Sequence, residues 1–513
     1  MTDFDEFVEN EASDIKVDLE REILAIIHRG GGVEKEGSRR PIRELIQNAD
    51  DAHSDRIHIH FDKQGLLFQN DGLGLRADKN ENGEWVGTVK SILRIHEGSK
   101  EENKLESGNF GSGFRSTHLF SDFAEIHGSL NVAGNFGTYV GICSPFTDRV
   151  DAKSGLSRAM IPEVRADKQR PKRKRALINS LDGLSYKIGL EPSSERCGVA
   201  FYWPWRKTAR NKKWDGMIWD IERVTHAALD TVEVLPNIIL GCRWIREAIV
   251  TIDLPGCKGT HAWSRDFNIH EYLEETIQKD VSITEFHSAK VENDKALNIE
   301  FSKLNSVSTK KFWLFNHIET SLVSNAHAAD LLPNCMLIVP LSKEQKDLPS
   351  YTPIALTISS GNEFSPLAFL PPHESRTKIK IDGNIGTEKK FWAANAMNIF
   401  CKNLLPSLYH KSIKALLSGK ISHSQFLSMI ARNRPEKWFG CEPLDYLNRD
   451  IKTSWNNYTA LVSDGDIFPD KSGKEYVSAD NVVRITISCE KTKKSIFELV
   501  EGVLGVESGY SAG

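Results

Sequence analysis

The run Arg43-Glu44-Leu45-Ile46-Gln47-Asn48-Ala49-Asp50-Asp51-Ala52 reads as part of a helix with two unlike faces. Starting at about Pro41, the positions Ile42, Leu45, Ala49 and Ala52 recur at helical spacing and form an apolar face, while Glu44, Asn48 and Asp51 fall together on another stripe. Glu44 and Asn48 stand one turn apart, so a carboxylate can hold a water while an amide oxygen beside it ligates a hard cation. Such a pair suits hydrolysis at a phosphate, with the cation bridging phosphate oxygens and the carboxylate taking the proton of the attacking water. By itself the stripe reads equally well as a solvated helix face.

Upstream, residues 12–29 carry a second amphipathic pattern that Gly30-Gly31-Gly32 ends. Downstream, Ile57, Ile59 and Phe61 alternate with His58 and His60, the period of a strand with one buried apolar face. A turn over 62–65 leads into the strand Leu66-Leu67-Phe68 and straight on to Asn70-Asp71-Gly72-Leu73-Gly74. There an acceptor-only carboxylate, suited to the exocyclic amine of a base such as adenine, stands beside glycines that let backbone approach a ligand. Alone, Asp-Gly-x-Gly is an ordinary turn. A third motif, Gly108-Asn109-Phe110-Gly111-Ser112-Gly113-Phe114-Arg115-Ser116, opens a helix through Leu119, and amides at such a start form an anion nest. With further strands expected near 123–128, 137–143 and 198–204, helices laid on one face of a mixed sheet are the expected architecture.

Taken in order, Arg43 to Ala52, Asn70 to Gly74 and Gly108 to Asp122 resemble the successive motifs of the GHKL ATPases. They are most similar to the ninety-kilodalton heat-shock chaperones and the sacsin repeats, and Glu-Leu-Ile-Gln-Asn-Ala-Asp-Asp-Ala is particularly sacsin-like. The match is specific over residues 40–125 and continues more thinly to about 480. It implies a Bergerat-type two-layer α/β sandwich and the cofactors ATP and Mg2+. By resemblance, Glu44 is the general base, Asn48 the magnesium ligand and Asp71 the adenine-reading carboxylate, with Asp51 and Gly74 in the pocket wall. Gly108, Gly111, Ser112, Gly113 and Phe114 would lie over the phosphates, and Ser99 and Lys100 would open a mobile lid that excludes water on closing. Gly198 matches the glycine that opens a late strand in the family, but Val199 stands where the family usually has a threonine that helps hold the base. A hydrogen bond lost there costs on the order of 1 kcal/mol. In the wider class a basic residue of the second domain reaches the terminal phosphate; Lys389 and Lys390, with Arg376 behind them, are the candidates here, and an ordinary solvated basic turn is the competing reading.

The 513 residues exceed one hydrophobic core, and 40% hydrophobic with 27% charged residues is the balance of a globular chain. Three regions are expected: an ATP-binding domain over 1–245, a middle, transducer-like α/β domain over 246–395, and a mainly helical region over 396–513, an α+β protein in all. Within these, 212–246 and 396–432 read as helix, and Lys311 to Phe315, Cys335 to Pro340 and Ile354 to Ile358 as strands. The acidic start and the lack of a run of ~20 apolar residues predict a cytoplasmic protein without a membrane span. The eight cysteines are single and the histidines lack metal spacing, so no zinc site is expected. No Gly-x-x-x-x-Gly-Lys-Ser/Thr loop occurs, which excludes a P-loop motor.

A net charge of −4 makes no global case for nucleic acid. Locally, seven basic residues in eleven over 165–175 could grip phosphate backbones, but a solvated loop or one that meets an acidic protein is the preferred reading. The expectation is therefore an ATP-driven conformational switch with a protein partner or client, and ATP-dependent homodimerisation as the family implies. By analogy it could serve chaperone-like remodelling or as the ATPase module of a bacterial phage-defence system. Two other readings stand beside it: an ATP-sensing scaffold without turnover, and a nucleic-acid-associated machine of the same class.

Overall fold

The computed structural model describes residues 39–88, 114–121, 124–132, 135–143, 198–208, 218–266, 281–291, 307–318, 334–340, 349–351, 355–359, 365–368, 468–469 and 476–477. These form two compact units, the first covering residues 1–277 and 284–310 with a short segment at 353–355. Together they make an α+β protein in which strand predominates.

Helix α1 spans Arg39–Asp51, two residues earlier than Pro41, and Pro41 is tolerated because the first turn has no intrahelical use for its missing amide. Ile42, Leu45, Ile46 and Ala49 are buried, as their spacing requires. The helix ends in a Schellman motif: Ser54 N donates to Ala49 O and His53 N to Asp50 O, both at 3.0 Å, with His53 in the left-handed region at φ 56°.

Strands β1 (Arg56–Asp62) and β2 (Gly65–Asn70) form an antiparallel hairpin. Its turn is fixed by Asp62 Oδ1, which accepts from Gln64 N at 2.5 Å and Gly65 N at 2.8 Å. Next come β3 (Leu75–Lys79), β4 (Trp85–Val86), a 3-10 helix (Phe114–Leu119), β5 (Ala124–Val132), β6 (Asn135–Cys143) and β7 (Val199–Pro204). Helix α2 (Ile221–Leu240) is capped by Asp220, whose side chain accepts from Arg223 N at 2.8 Å. Strands β8 (Glu247–Leu254), β9 (Cys257–Arg265) and β10 (Val281–Val291) complete a mixed sheet in the order β10-β9-β8-β1-β2-β7-β5-β3-β4, with β6 on β5.

One face of the sheet is apolar: register puts Ile57, Ile59 and Phe61 beside Leu66 and Phe68 on one side and Ala248, Val250 and Ile252 on the other, all buried. α1 packs on the 3-10 helix and on α2, which in turn packs on β8 and β9. Beyond residue 245 the sheet continues: β8 pairs in parallel with β1 from Glu247 to Asp253, and β9 pairs with β8. The helix expected over 212–246 spans Ile221–Leu240; beyond it, Trp244 N bonds Asp50 at the end of α1, and Arg246 N and Glu247 N bond Asp55 O in the turn that follows α1.

The second unit holds β12 (Asn334–Pro340), β13 (Pro349–Tyr351), β14 (Ala355–Ser359) and β15 (Ser365–Ala368), ordered β14-β13-β15-β12 and continued by residues 312–318 of β11 (Val307–Ile318). A separate pair is formed by β16 (Phe468–Pro469) and β17 (Tyr476–Val477). Of the three strand runs expected here, Lys311 to Phe315 falls within β11 and Cys335 to Pro340 within β12, while Ile354 to Ile358 overlaps β14 from Ala355. The helices expected over 12–29 and 396–432 lie outside the described residues. Among the described residues no helix is long and apolar enough to cross a membrane.

The opposite face of the first sheet carries a buried polar chain. Thr260 Oγ1 donates to Thr251 Oγ1 at 3.4 Å, Thr251 Oγ1 meets His58 Nε2 at 3.0 Å, and His58 Nδ1 meets Gln69 Oε1 at 3.2 Å. Burial, followed by the neighbouring His60 and opposed by the Gln69 bond, lowers the His58 pKa from 6.5 to about 3. His58 is therefore neutral when folded, and unfolding takes up a proton between those two pH values. The associated stability is complete above pH 6.5 and falls by about 1.4 kcal/mol per unit on acidification. His58→Gln, which does not titrate, is expected to flatten the fall in urea midpoint between pH 7 and pH 5; an unchanged slope contradicts this assignment.

Candidate functional site

The last turn of α1, the turn Ala52–Arg56, the loop Asn70–Gly74 and the start of β7 meet at one place. Leu73 N donates to Ala52 O at 2.6 Å, and Gly198 N donates to Gly72 O at 2.9 Å. Asn70 is the hub: its Oδ1 accepts from Ser54 Oγ at 3.1 Å and Gly72 N at 3.2 Å, and its Nδ2 donates to Val199 O at 3.3 Å. Two glycines are required by the closeness of approach. A Cβ on Gly72 would stand 2.3 Å from Ser54 Oγ and 2.4 Å from Ala52 O, and one on Gly198, whose φ is +63°, would stand 1.9 Å from Asn70 O.

Asp71 follows the hub. Its Oδ1 accepts from Asp55 N at 2.9 Å and Arg56 N at 2.8 Å, while Oδ2 takes no hydrogen bond from the described residues. Burial raises the Asp71 pKa above the usual carboxylate value; the Arg56 amide works against that and the Asp55 charge adds to it. A fixed, half-buried acceptor with one oxygen to offer can accept from a ligand amine.

Glu44 and Asn48 stand one turn apart on α1, Glu44 at 6% exposure and Asn48 half-buried. The structure thus brings the second motif onto the end of the helix that carries the first. Asp51, expected in a pocket wall, is tied to Arg243: Nη2 donates to its Oδ1 at 2.6 Å, and both side chains are 3% exposed. Gly74 joins the loop to β3, and Gly198 opens β7. Phe114 heads the 3-10 helix, and its ring lies on Phe201 and Trp203, with centroids 5.4 Å and 6.2 Å away.

The far end of that 3-10 helix is held by donors. Arg206 Nη1 and Trp219 Nε1 both reach Leu119 O at 2.9 Å, and Arg206 Nη2 reaches His118 O at 2.5 Å. Ser99, Lys100, Gly108, Gly111, Ser112, Gly113 and Lys389 lie outside the described residues, as do Lys390, Arg376 and the basic run 165–175.

Four residues that shape this place had no role assigned from the sequence: Asn70 and Asp50, which stand inside the first two motifs, and Ser54 and Arg243, which stand outside them. Asp50 Oδ1 accepts from Trp244 N at 2.7 Å and Ile245 N at 3.3 Å, and its Oδ2 from Arg243 N at 2.9 Å. Their donors and acceptors are far apart in sequence, so no periodicity reports them. Among the described residues no group of three or more His, Cys, Asp or Glu could hold a metal ion alone. No protein-family model matches the chain, and no curated protein matches it.

Proposed function

We propose that the chain is a GHKL-class ATPase, a conformational switch that binds ATP with magnesium in a Bergerat-like first domain and hydrolyses it to ADP and phosphate. The observation that carries this reading is the seat of Asp71, clamped through Oδ1 by the turn that ends the helix of Glu44 and Asn48. A carboxylate fixed there reads an exocyclic amine, and a base and a cation ligand stand on the adjoining helix. The donor set suits the cofactor: magnesium retains several waters and takes few protein oxygens beside phosphate oxygens, so the Asn48 amide is a sufficient share from this helix.

Magnesium, when bound, supplies charge neutralisation at the phosphates. Glu44 orients a water and takes its proton, and its burial keeps that water from exchanging with bulk. Glycines 108, 111 and 113 and the Ser99-Lys100 lid are the remaining contacts that the resemblance implies. The output is a change of shape passed to a protein partner or client, with pairing of two first domains in the ATP state.

The test is the magnesium dependence of turnover. Asn48→Ala is expected to raise the magnesium concentration for half-maximal phosphate release by at least about tenfold; the wild-type dependence in a folded variant would remove Asn48 from the metal. Val199, buried opposite Asn70 in the β2–β7 register, lacks the hydroxyl usual in the class. Val199→Thr is expected to tighten Mg-ADP by about fivefold, roughly 1 kcal/mol, in calorimetry. Equal or weaker affinity would show that the hydroxyl has no acceptor there.

A further inference from the structure

We infer that Arg243 is a positioning residue for nucleotide binding, acting on Asn48 and Asp71 together through the turn Ala52–Arg56. The inference rests on the proposed ATP reading.

Asp50 and Asp51, the last two residues of α1, both reach across to the α2–β8 connection. Asp50 accepts the amides of Arg243, Trp244 and Ile245, and Asp51 accepts the Arg243 guanidinium, whose Nε stands 3.6 Å from Asp50 Oδ2. The turn that follows is gripped from the same side. Asp55 O accepts from Arg246 N at 2.8 Å and Glu247 N at 3.0 Å, and the His53 ring stacks on Trp244 with centroids 4.1 Å apart. From its other side the turn holds the candidate site: Ala52 O takes Leu73 N, and the Asp55 and Arg56 amides clamp Asp71 Oδ1.

The place of the Asp71 carboxylate is therefore set by a turn whose own place is set by the guanidinium and the two aspartates. Asn48 lies on the adjoining helical turn, whereas Glu44 lies a further turn away. Loosening the guanidinium should move the binding groups more than the base. Lysine keeps the charge but lacks the planar guanidinium that bonds Asp51 through Nη2 while its Nε faces Asp50 Oδ2 at 3.6 Å.

Full-length Arg243→Lys should raise KM for ATP and Kd for Mg-ADP by about tenfold, with kcat at saturation within about twofold of wild type. By reciprocity, Mg-ADP bound to the wild-type chain should slow amide exchange at Trp244 and Ile245 by a similar factor, a readout that does not depend on any variant folding. A lowered Tm with unchanged KM, or a fall in kcat at unchanged KM, overturns the inference, as does exchange at Trp244 and Ile245 that ignores nucleotide. A wild-type chain that binds no adenine nucleotide overturns the ATP reading itself and this inference with it.

Discussion

Glu44→Ala should leave ATP bound and all but stop its turnover, lowering kcat by about 10²–10⁴-fold, the usual contribution of a positioned general base. The side chain is buried at 6% exposure on the second turn of α1, one helical turn from Asn48 and beyond the turn that clamps Asp71. Removing it takes away the proton acceptor without touching the clamp, so Mg-ADP affinity should stay within a few-fold of wild type. Because the ATP state would then persist, any partner or second copy that recognises that state should be retained longer. Single-turnover phosphate release from both forms is the measurement. Equal, background-level rates in both would favour an ATP-sensing scaffold, and loss of binding together with turnover would assign Glu44 to the pocket wall.

Asp50→Ala should be the most damaging single change to stability among the residues around the site, at roughly 3–5 kcal/mol. Its carboxylate is buried and satisfies three amides of the α2–β8 connection while facing the Arg243 guanidinium. Truncation strands those donors away from water and removes one of the two carboxylates that face the buried guanidinium, leaving Asp51 at 2.6 Å. Asp50→Asn retains an acceptor oxygen and should lose about half as much. Urea unfolding of both variants decides the matter; a loss under about 1 kcal/mol for the alanine form would mean that the connection rearranges freely.

These two residues mark how far the sequence could be read. The helix that carries Glu44 was legible, because helical spacing is a local property that also placed Ile42, Leu45 and Ala49 in the core. The alternation of Ile57, Ile59 and Phe61 with the histidines was legible for the same reason, as was the strand that delivers Asp71. Asp50 was not, because its partners lie 193 to 195 residues away and no pattern links an aspartate to amides it meets only after folding. The parallel pairing of β1 with β8 was hidden likewise, because the two strands lie far apart in sequence and no local pattern links them. The ring contacts of Phe114 with Phe201 and Trp203 of β7 were hidden in the same way, since they form only on folding.

Asp71 and the end of α1 should face one adenine nucleotide, and calorimetry with Mg-ATP on the wild-type chain and on Asp71→Ala tests this most directly. Wild type should give saturable, one-to-one, magnesium-dependent heat, and an Asp71→Ala chain that still unfolds cooperatively should give none. No heat from wild type, or the same heat from both, would contradict it.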